Sequence, residues 1–482
     1  MLLNELFSGA PEIEISQLSV DSRMPMENAI FFCLNGIKYD GHDYIEEAVK
    51  NGAKVIVYSR DIEKKEKAIY IKVADVNKTL KKTAVLFYED PGKNIVQYVI
   101  GGNYGRCSVA SFINHFLNKK EKCGYVGILG IRYDRTELRS SVTTLNALEN
   151  IKILQTMKEH GITSCTFEAN ASSLNLQKLD SIDPSFFIYT CTDTNANENQ
   201  LNEYFSYFRR YLYTLENSTV VLFNADDVSY MELSDCVDNY MTYGVYEDAD
   251  YRISDIFLSG QGIAFSLTHE GKTYSLSCSL QGIVNVYNLT AAAAVLHQKG
   301  YPLEEIIEEM KDVPFVDGVM DRCDPLYNVI VDSAYDITSI DEICRYARKI
   351  SEGHKAIGVI SINYTDGDSR LEKIMQICQK NLDVTILTEN ESLEGEVMRI
   401  LSRCDRYTKK DARVIHCDLR SLAIKNAIEI MNQGDTLIII GKGNEKFLSM
   451  GLGKEFYQGD RFYVQKYLDK RRKEENDAES VN

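Results

Sequence analysis

Residues 95–117 read IVQYVIGGNYGRCSVASFINHFL: an apolar run, a glycine-rich break and a helix-like stretch. This order predicts a strand, a tight loop and a helix whose first N–H groups face the loop. Such a loop suits a phosphate, because glycines let backbone N–H groups approach it while a Lys and a Ser/Thr hydroxyl serve the phosphates and their magnesium ion. Here Arg106 stands in the lysine position and Cys107 in the hydroxyl position. The frame of a nucleotide site is present with altered chemistry.

Outward from this loop the pattern is that of an α/β chain. Residues 1–90 alternate short apolar strands (AIFFCL, AKVIVYS, AIYIKV) with the helical YIEEAVKNGA, a small α/β domain closed by the linker FYEDPGKN. Over 91–322, strands such as YVGILG, FFIYTC and TVVLFNADD alternate with the long helical NALENIKILQTMKEHG and NLTAAAAVLHQKG. That alternation predicts a parallel sheet wrapped by helices. Residues 323–470 repeat the βα unit through NVIVDSAYD, KAIGVISIN, VTILTEN and TLIIIGKG, a Rossmann-like domain with its ligand at the strands' carboxyl ends. The charged tail 471–482 reads as disordered.

With 482 residues, 44% of them hydrophobic, the chain can bury several cores. A formal charge of −17 argues against a nucleic-acid partner, which needs clustered Lys and Arg. Apolar runs such as TLIII are too short to span a bilayer, and MLLNELFSGAPEIE lacks the form of a signal peptide, so a cytoplasmic location is expected. Twelve scattered cysteines without a CxxC, and seven dispersed histidines, suggest neither a disulfide framework nor a metal cluster.

In order, the motifs DSR (21–23), FFCLNG…DGHDYIEEAVKNGAKVIV, FYEDPGKN, VTTLNALENIKILQTM, NADD, LQGIVNVYNLTAAAAV, VIVDSAYD and GKGNE resemble the Mur ligase family over nearly the whole chain. The most similar branch is the one that adds the third peptide residue to UDP-N-acetylmuramoyl-dipeptide. The resemblance implies three domains: a small UDP-binding domain, a central ATPase domain of P-loop type and a C-terminal Rossmann-like domain. It places Ser22, His42, Thr143, Thr144 and Lys178 at the UDP-sugar substrate. Gly102, Gly105, Arg106, Cys107, Ser108, Asn285 and Asp332 fall at the nucleotide, and Glu389, Asn390 and Glu445 at the incoming amino acid. Glu168 takes a vestigial metal position. On spacing alone Asp21 and His42 also read as loop and cap residues, Asn288 as a helix cap and Asp332 as a strand end.

The departures from the family pattern gather where its chemistry occurs. The family loop Gly-Thr-Asn-Gly-Lys-Thr-Thr becomes Gly102-Asn103-Tyr104-Gly105-Arg106-Cys107-Ser108. A planar guanidinium replaces a compact ammonium, and a thiol is a poor ligand for magnesium. Arg209 falls where the family carbamylates a lysine, which would put its charge beside Glu168. Ser392 replaces the Arg of the family's amino-acid motif.

The family reaction phosphorylates a carboxylate with ATP and lets an amine displace the phosphate. Losing one electrostatic donor in such a site costs on the order of 10²–10³ in rate. The leading expectation is therefore a pseudoenzyme of peptidoglycan precursor metabolism. It would keep the UDP-muramoyl-peptide site, have no cofactor, retain only vestigial Arg106 and Arg209, and partner an active cell-wall enzyme. The alternative is a working ATP- and magnesium-dependent ligase.

Overall fold

Short runs rich in β-branched and aromatic residues build the first sheet, because such side chains fill a pleated, buried surface. In the computed structural model the strands Gln17–Ser19, Ala29–Phe32, Ala53–Tyr58 and Ile69–Lys72 lie parallel in sequence order. The structure describes all residues except 37–38, 65–67, 139–143, 194–196, 246–247, 325, 393–395, 444, 451–452 and 481–482. These residues form two compact units: residues 1–191, 198–249 and 294–296, and residues 192–197, 250–293 and 297–482.

The first unit holds the opening sheet and a second one. Asp75 caps the helix Val76–Phe87 by accepting from the Lys78 N–H, and the chain then turns through Glu89 and Asp90, both at positive φ, where the linker was expected. The core beneath the opening sheet joins Leu18, Ile30, Val55 and Leu80 to Ala147, Leu148 and Ile151 of the helix Ala147–Glu159. The second sheet runs Tyr240–Gly244, Val220–Asn224, Phe186–Tyr189, Val96–Gly101, Ser164–Glu168, Cys123–Gly127, all parallel, with antiparallel Gly130–Tyr133 and Thr136–Leu138 at its edge. Val99, Phe167, Phe187, Tyr189, Phe208 and Tyr211 form much of the core on one face.

The second unit adds an antiparallel meander, Tyr251–Ser259, Gly262–His269 and Lys272–Cys278, to the helical and parallel pattern expected up to 322. Among the described residues its principal sheet has eight strands, with Asn328–Asp332, Thr436–Ile440, Ala356–Asn363 and Val384–Ser392 parallel at the centre. The tail expected to be disordered is helical through Ser480, since the helix Asp460–Ser480 continues across 471–480. Arg471 donates to the Ile428 and Met431 carbonyls, which anchors that extension. Among the described residues no helix is long and apolar enough to cross a membrane.

A fully buried ion pair holds the second unit's centre. Arg420 and Asp460 have side chains at 0% exposure and meet through two hydrogen bonds of 2.7 Å. Arg420 also donates to Ser361 Oγ and, at 3.2 Å, to the Ile440 carbonyl, while Tyr457 donates to Asp460 at 2.7 Å. Removing one member of such a pair strands the other charge, so Arg420→Ala should lower stability against urea by about 3–5 kcal/mol. The exposed Arg399–Glu396 pair supplies the control, since Arg399→Ala should cost no more than about 1 kcal/mol. Equal effects would contradict this assignment.

Candidate active site

The strand Val96–Gly101 lies between Ser164–Glu168 and Phe186–Tyr189, with Ile100 opposite Glu168 and Gly101 opposite Tyr189. All three chains leave the sheet at the same end. That register brings the glycine loop, Glu168 and the Thr190–Cys191 segment to one carboxyl edge, the place where parallel sheets hold ligands.

The loop is fixed from below. The Asn103 N–H donates to the Cys191 carbonyl at 2.8 Å, and Thr190 Oγ1 donates to the Tyr104 carbonyl at 2.6 Å. Gly102 has φ +116°, and a Cβ there would sit 2.3 Å from Thr190 Oγ1, so only glycine closes this turn. Gly105, at φ +88°, is the N-cap of the helix Arg106–Leu117 and offers no side-chain cap. The first-turn N–H groups have no partner within the helix, and the helix dipole favours an anion there.

Arg106 folds back onto its own loop, with Nη1 donating to the Gly102 carbonyl and, at 2.7 Å, to the Asn103 carbonyl. Its Nε lies 3.9 Å from Glu168 Oε2 and is buried without a hydrogen-bond partner. Glu168 is 2% exposed. Its Oε1 accepts from the Tyr125 hydroxyl and, at 3.2 Å, from the Ile128 N–H. Gly127 permits this packing, since a Cβ there would lie 2.3 Å from Glu168 Oε1.

Burial pushes the Glu168 carboxyl above its ordinary range, against the opposing pull of Arg106 and Tyr125. Burial, with the charge of Glu168, also pushes the Cys107 thiol well up, so Cys107 is a thiol rather than a nucleophilic thiolate. The buried Ser108 Oγ has no partner.

These donors suit a phosphate and not a magnesium ion. The ion demands near-octahedral oxygen ligands, whereas Glu168 Oε1 already accepts from a hydroxyl and an amide, Oε2 faces a guanidinium, and Cys107 presents sulfur. Among the described residues no group of three or more His, Cys, Asp or Glu could hold a metal.

The other expected residues divide. Thr144 and Lys178 join this neighbourhood: Thr144 Oγ1 donates to the Glu168 carbonyl at 2.9 Å and Lys178 Nζ to the Thr144 carbonyl at 3.1 Å. Thr143 lies outside the described residues. Ser22 and His42 are engaged in the fold: Ser22 donates to Glu47, and the His42 ring nitrogens meet Asp40 at 2.6 Å and the Ser59 N–H at 3.1 Å. Arg209 requires a correction, because it pairs with Glu232 near the surface, and the cation beside Glu168 is Arg106.

In the second unit the Asp332 carboxylate accepts from the Met320 and Ala334 N–H groups, both at 2.6 Å, and so closes its strand. Asn288 lies inside the helix Ile283–Gln298 rather than capping it, and donates to Asn285 at 3.3 Å. Glu445 is exposed and pairs with the buried Lys442 at 2.8 Å. Glu389 and Asn390 are buried near the end of Val384–Ser392. There Asn390 Oδ1, Thr388 Oγ1 and, on the adjacent strand, Asn363 Oδ1 are buried without partners. Such orphaned atoms call for a ligand or water. Sequence reading missed Thr388, Asn363 and Tyr125; the available signal was a polar group late in an apolar strand (VISIN, ILTEN, GYVGILG).

The profile of the Mur ligase middle domain matches residues 100–296, and that of the Mur ligase family catalytic domain matches residues 14–88. A UDP-N-acetylmuramoyl-L-alanyl-D-glutamate–2,6-diaminopimelate ligase of Clostridium botulinum is 28% identical over 90% of this chain and 91% of its own length. A solved structure of a ligase of that name superposes with a TM-score of 0.69 at 20% identity, covering 98% of this chain and 99% of the other. The MurF ligase of Thermotoga maritima in complex with ADP gives 0.63 at 15% identity, covering 94% and 98%.

Because the folded chain holds the Glu168 proton to higher pH than the unfolded chain does, stability from this group is present below its ordinary value of 4.5 and falls as pH rises through the folded value. Glu168→Gln removes that decline. The melting midpoint of the variant relative to the wild type should therefore rise between pH 4.5 and pH 8. A difference that stays flat or falls would contradict the assignment.

Proposed function

This chain belongs to the Mur ligase family, and from that premise we propose that it acts on a UDP-N-acetylmuramoyl dipeptide as a ligase that joins an amino acid to it. The observation that carries this reading is the glycine loop at the start of the helix Arg106–Leu117. Gly102 and Gly105 hold the loop open to the helix N-terminus, and Thr144 and Lys178 are tied to Glu168 beside it. A left-handed glycine at the start of this helix leaves its first-turn N–H groups without a side-chain cap, which suits an anion there.

That the MurF ligase of Thermotoga maritima is found in complex with ADP supports an adenine nucleotide as the cofactor here too, in place of the expectation that no cofactor is needed. ATP supplies the phosphoryl group that activates the substrate carboxylate. Loop amides and Arg106 bind and orient the phosphates, and Lys178 offers an ammonium on the substrate side. The orphaned Asn363, Thr388 and Asn390 atoms offer polar recognition to the incoming amino acid. With Ser392 in the family's arginine position, a second carboxylate on that amino acid lacks a fork-shaped partner.

A second reading, precursor binding without ligation, is favoured by the Arg106 side chain lying on the loop carbonyls. The two separate in one assay. With ATP and UDP-muramoyl-L-alanyl-D-glutamate, phosphate release should depend on an added amino acid and yield a tripeptide mass. The rate should sit about 10²–10³ below that of a relative with Lys and Thr at positions 106 and 107. A thermal shift with the dipeptide but no release with any amino acid, diaminopimelate and lysine included, would install the second reading. Absence of both would overturn the substrate assignment.

A further inference from the structure

The neighbourhood of Glu168 contains a cation that is part of the chain. Arg106 is the first residue of its helix, and its guanidinium bridges two loop carbonyls and the buried carboxylate. We propose that Arg106 serves the phosphate loop in place of a divalent metal ion, so that nucleotide phosphates bind there with no requirement for magnesium. This inference rests on the reading that a nucleotide occupies the loop.

Four features of the structure support it. A buried carboxylate needs a compensating charge, and Arg106 Nε at 3.9 Å supplies it. Glu168 Oε1 accepts from Tyr125 and Ile128, and Oε2 faces the guanidinium at 3.9 Å. A metal ion on this carboxylate would face a guanidinium a few ångströms away, a repulsion well above thermal energy in a water-poor site. The adjacent side chain is the Cys107 thiol, a soft group that a hard cation does not select.

The arginine has the chemistry to do more than balance charge. Its planar fork carries five N–H donors, of which Nη1 serves the loop, and the fork geometry matches phosphate oxygens. The Nε–H is buried and unpartnered in the present arrangement, a donor that a phosphate oxygen arriving at the helix N-terminus would satisfy. The cation is part of the chain, so the site keeps it whatever the supply of metal.

Calorimetry of the full chain with ADP, once in EDTA and once with magnesium chloride, reads the proposal. The two dissociation constants should agree within about threefold. Arg106→Gln, which keeps a polar stem and drops the charge, should weaken binding in EDTA by about tenfold or more. The melting midpoint checks that the variant is folded, and Arg106→Lys, which keeps a charge, provides a second route if it is not. In the double variant Arg106→Lys/Cys107→Thr, magnesium should tighten ADP by about tenfold or more.

Binding of ADP by the wild type only with magnesium would overturn the inference and leave the nucleotide reading standing. Unchanged affinity in folded Arg106→Gln would do the same. No ADP binding in either buffer would overturn the nucleotide reading itself, and this inference with it.

Discussion

The pairing of Ile100 with Glu168 across two parallel strands is the constraint on which the site depends. Because a one-residue slip would turn every side chain of Ser164–Glu168 to the other face, this register alone decides that a carboxylate lies beside the glycine loop. The other flank is set by Gly101 against Tyr189, which brings Thr190 and Cys191 under the loop to hold its carbonyls and amides. The aromatic core of Phe167, Phe187 and Phe208 fixes those strands, so packing far from solvent determines where a charge can sit.

Charge compensation follows from that placement. Glu168 is too deep to be left alone and is met by a phenol, an amide and a guanidinium. The family resemblance assigns this carboxylate to a metal centre, and the substitutions at 106 and 107 look like losses when read singly. Together they form a self-consistent set, because an arginine that supplies the cation and a thiol that does not invite one belong to the same electrostatic solution. The likeness to a diaminopimelate ligase along nine-tenths of the chain is then compatible with an altered centre.

Much of this was legible in the sequence. The glycines at 102 and 105, the strand before them and the helix after them are local features, and local features survive translation into structure. So are the alternating strands of the three segments. The meander Tyr251–Cys278 was also written in the sequence, as alternating residues broken at SGQG and HEGK, and was overlooked beside the stronger helical signals. The partner of Glu168 was not legible. Arg209 sits on a half-buried turn of its helix and finds Glu232, whereas Arg106 reaches Glu168 only because two strands whose paired residues lie 68 positions apart in sequence are neighbours in register. Asp332, at a strand end, and His42, in the helical turn Gly41–Tyr44, illustrate the same limit, since such polar residues can satisfy backbone N–H groups as readily as a ligand.

The central claim is that a guanidinium occupies the place beside Glu168 where the family resemblance puts a metal ion. Crystals grown with a non-hydrolysable ATP analogue and manganese, with data collected at the manganese absorption edge, test it most directly. The account predicts phosphates on the loop, Arg106 between them and Glu168, and no anomalous peak on the Glu168 carboxylate. A manganese peak coordinated by Glu168, with Arg106 swung away from the loop, would contradict it.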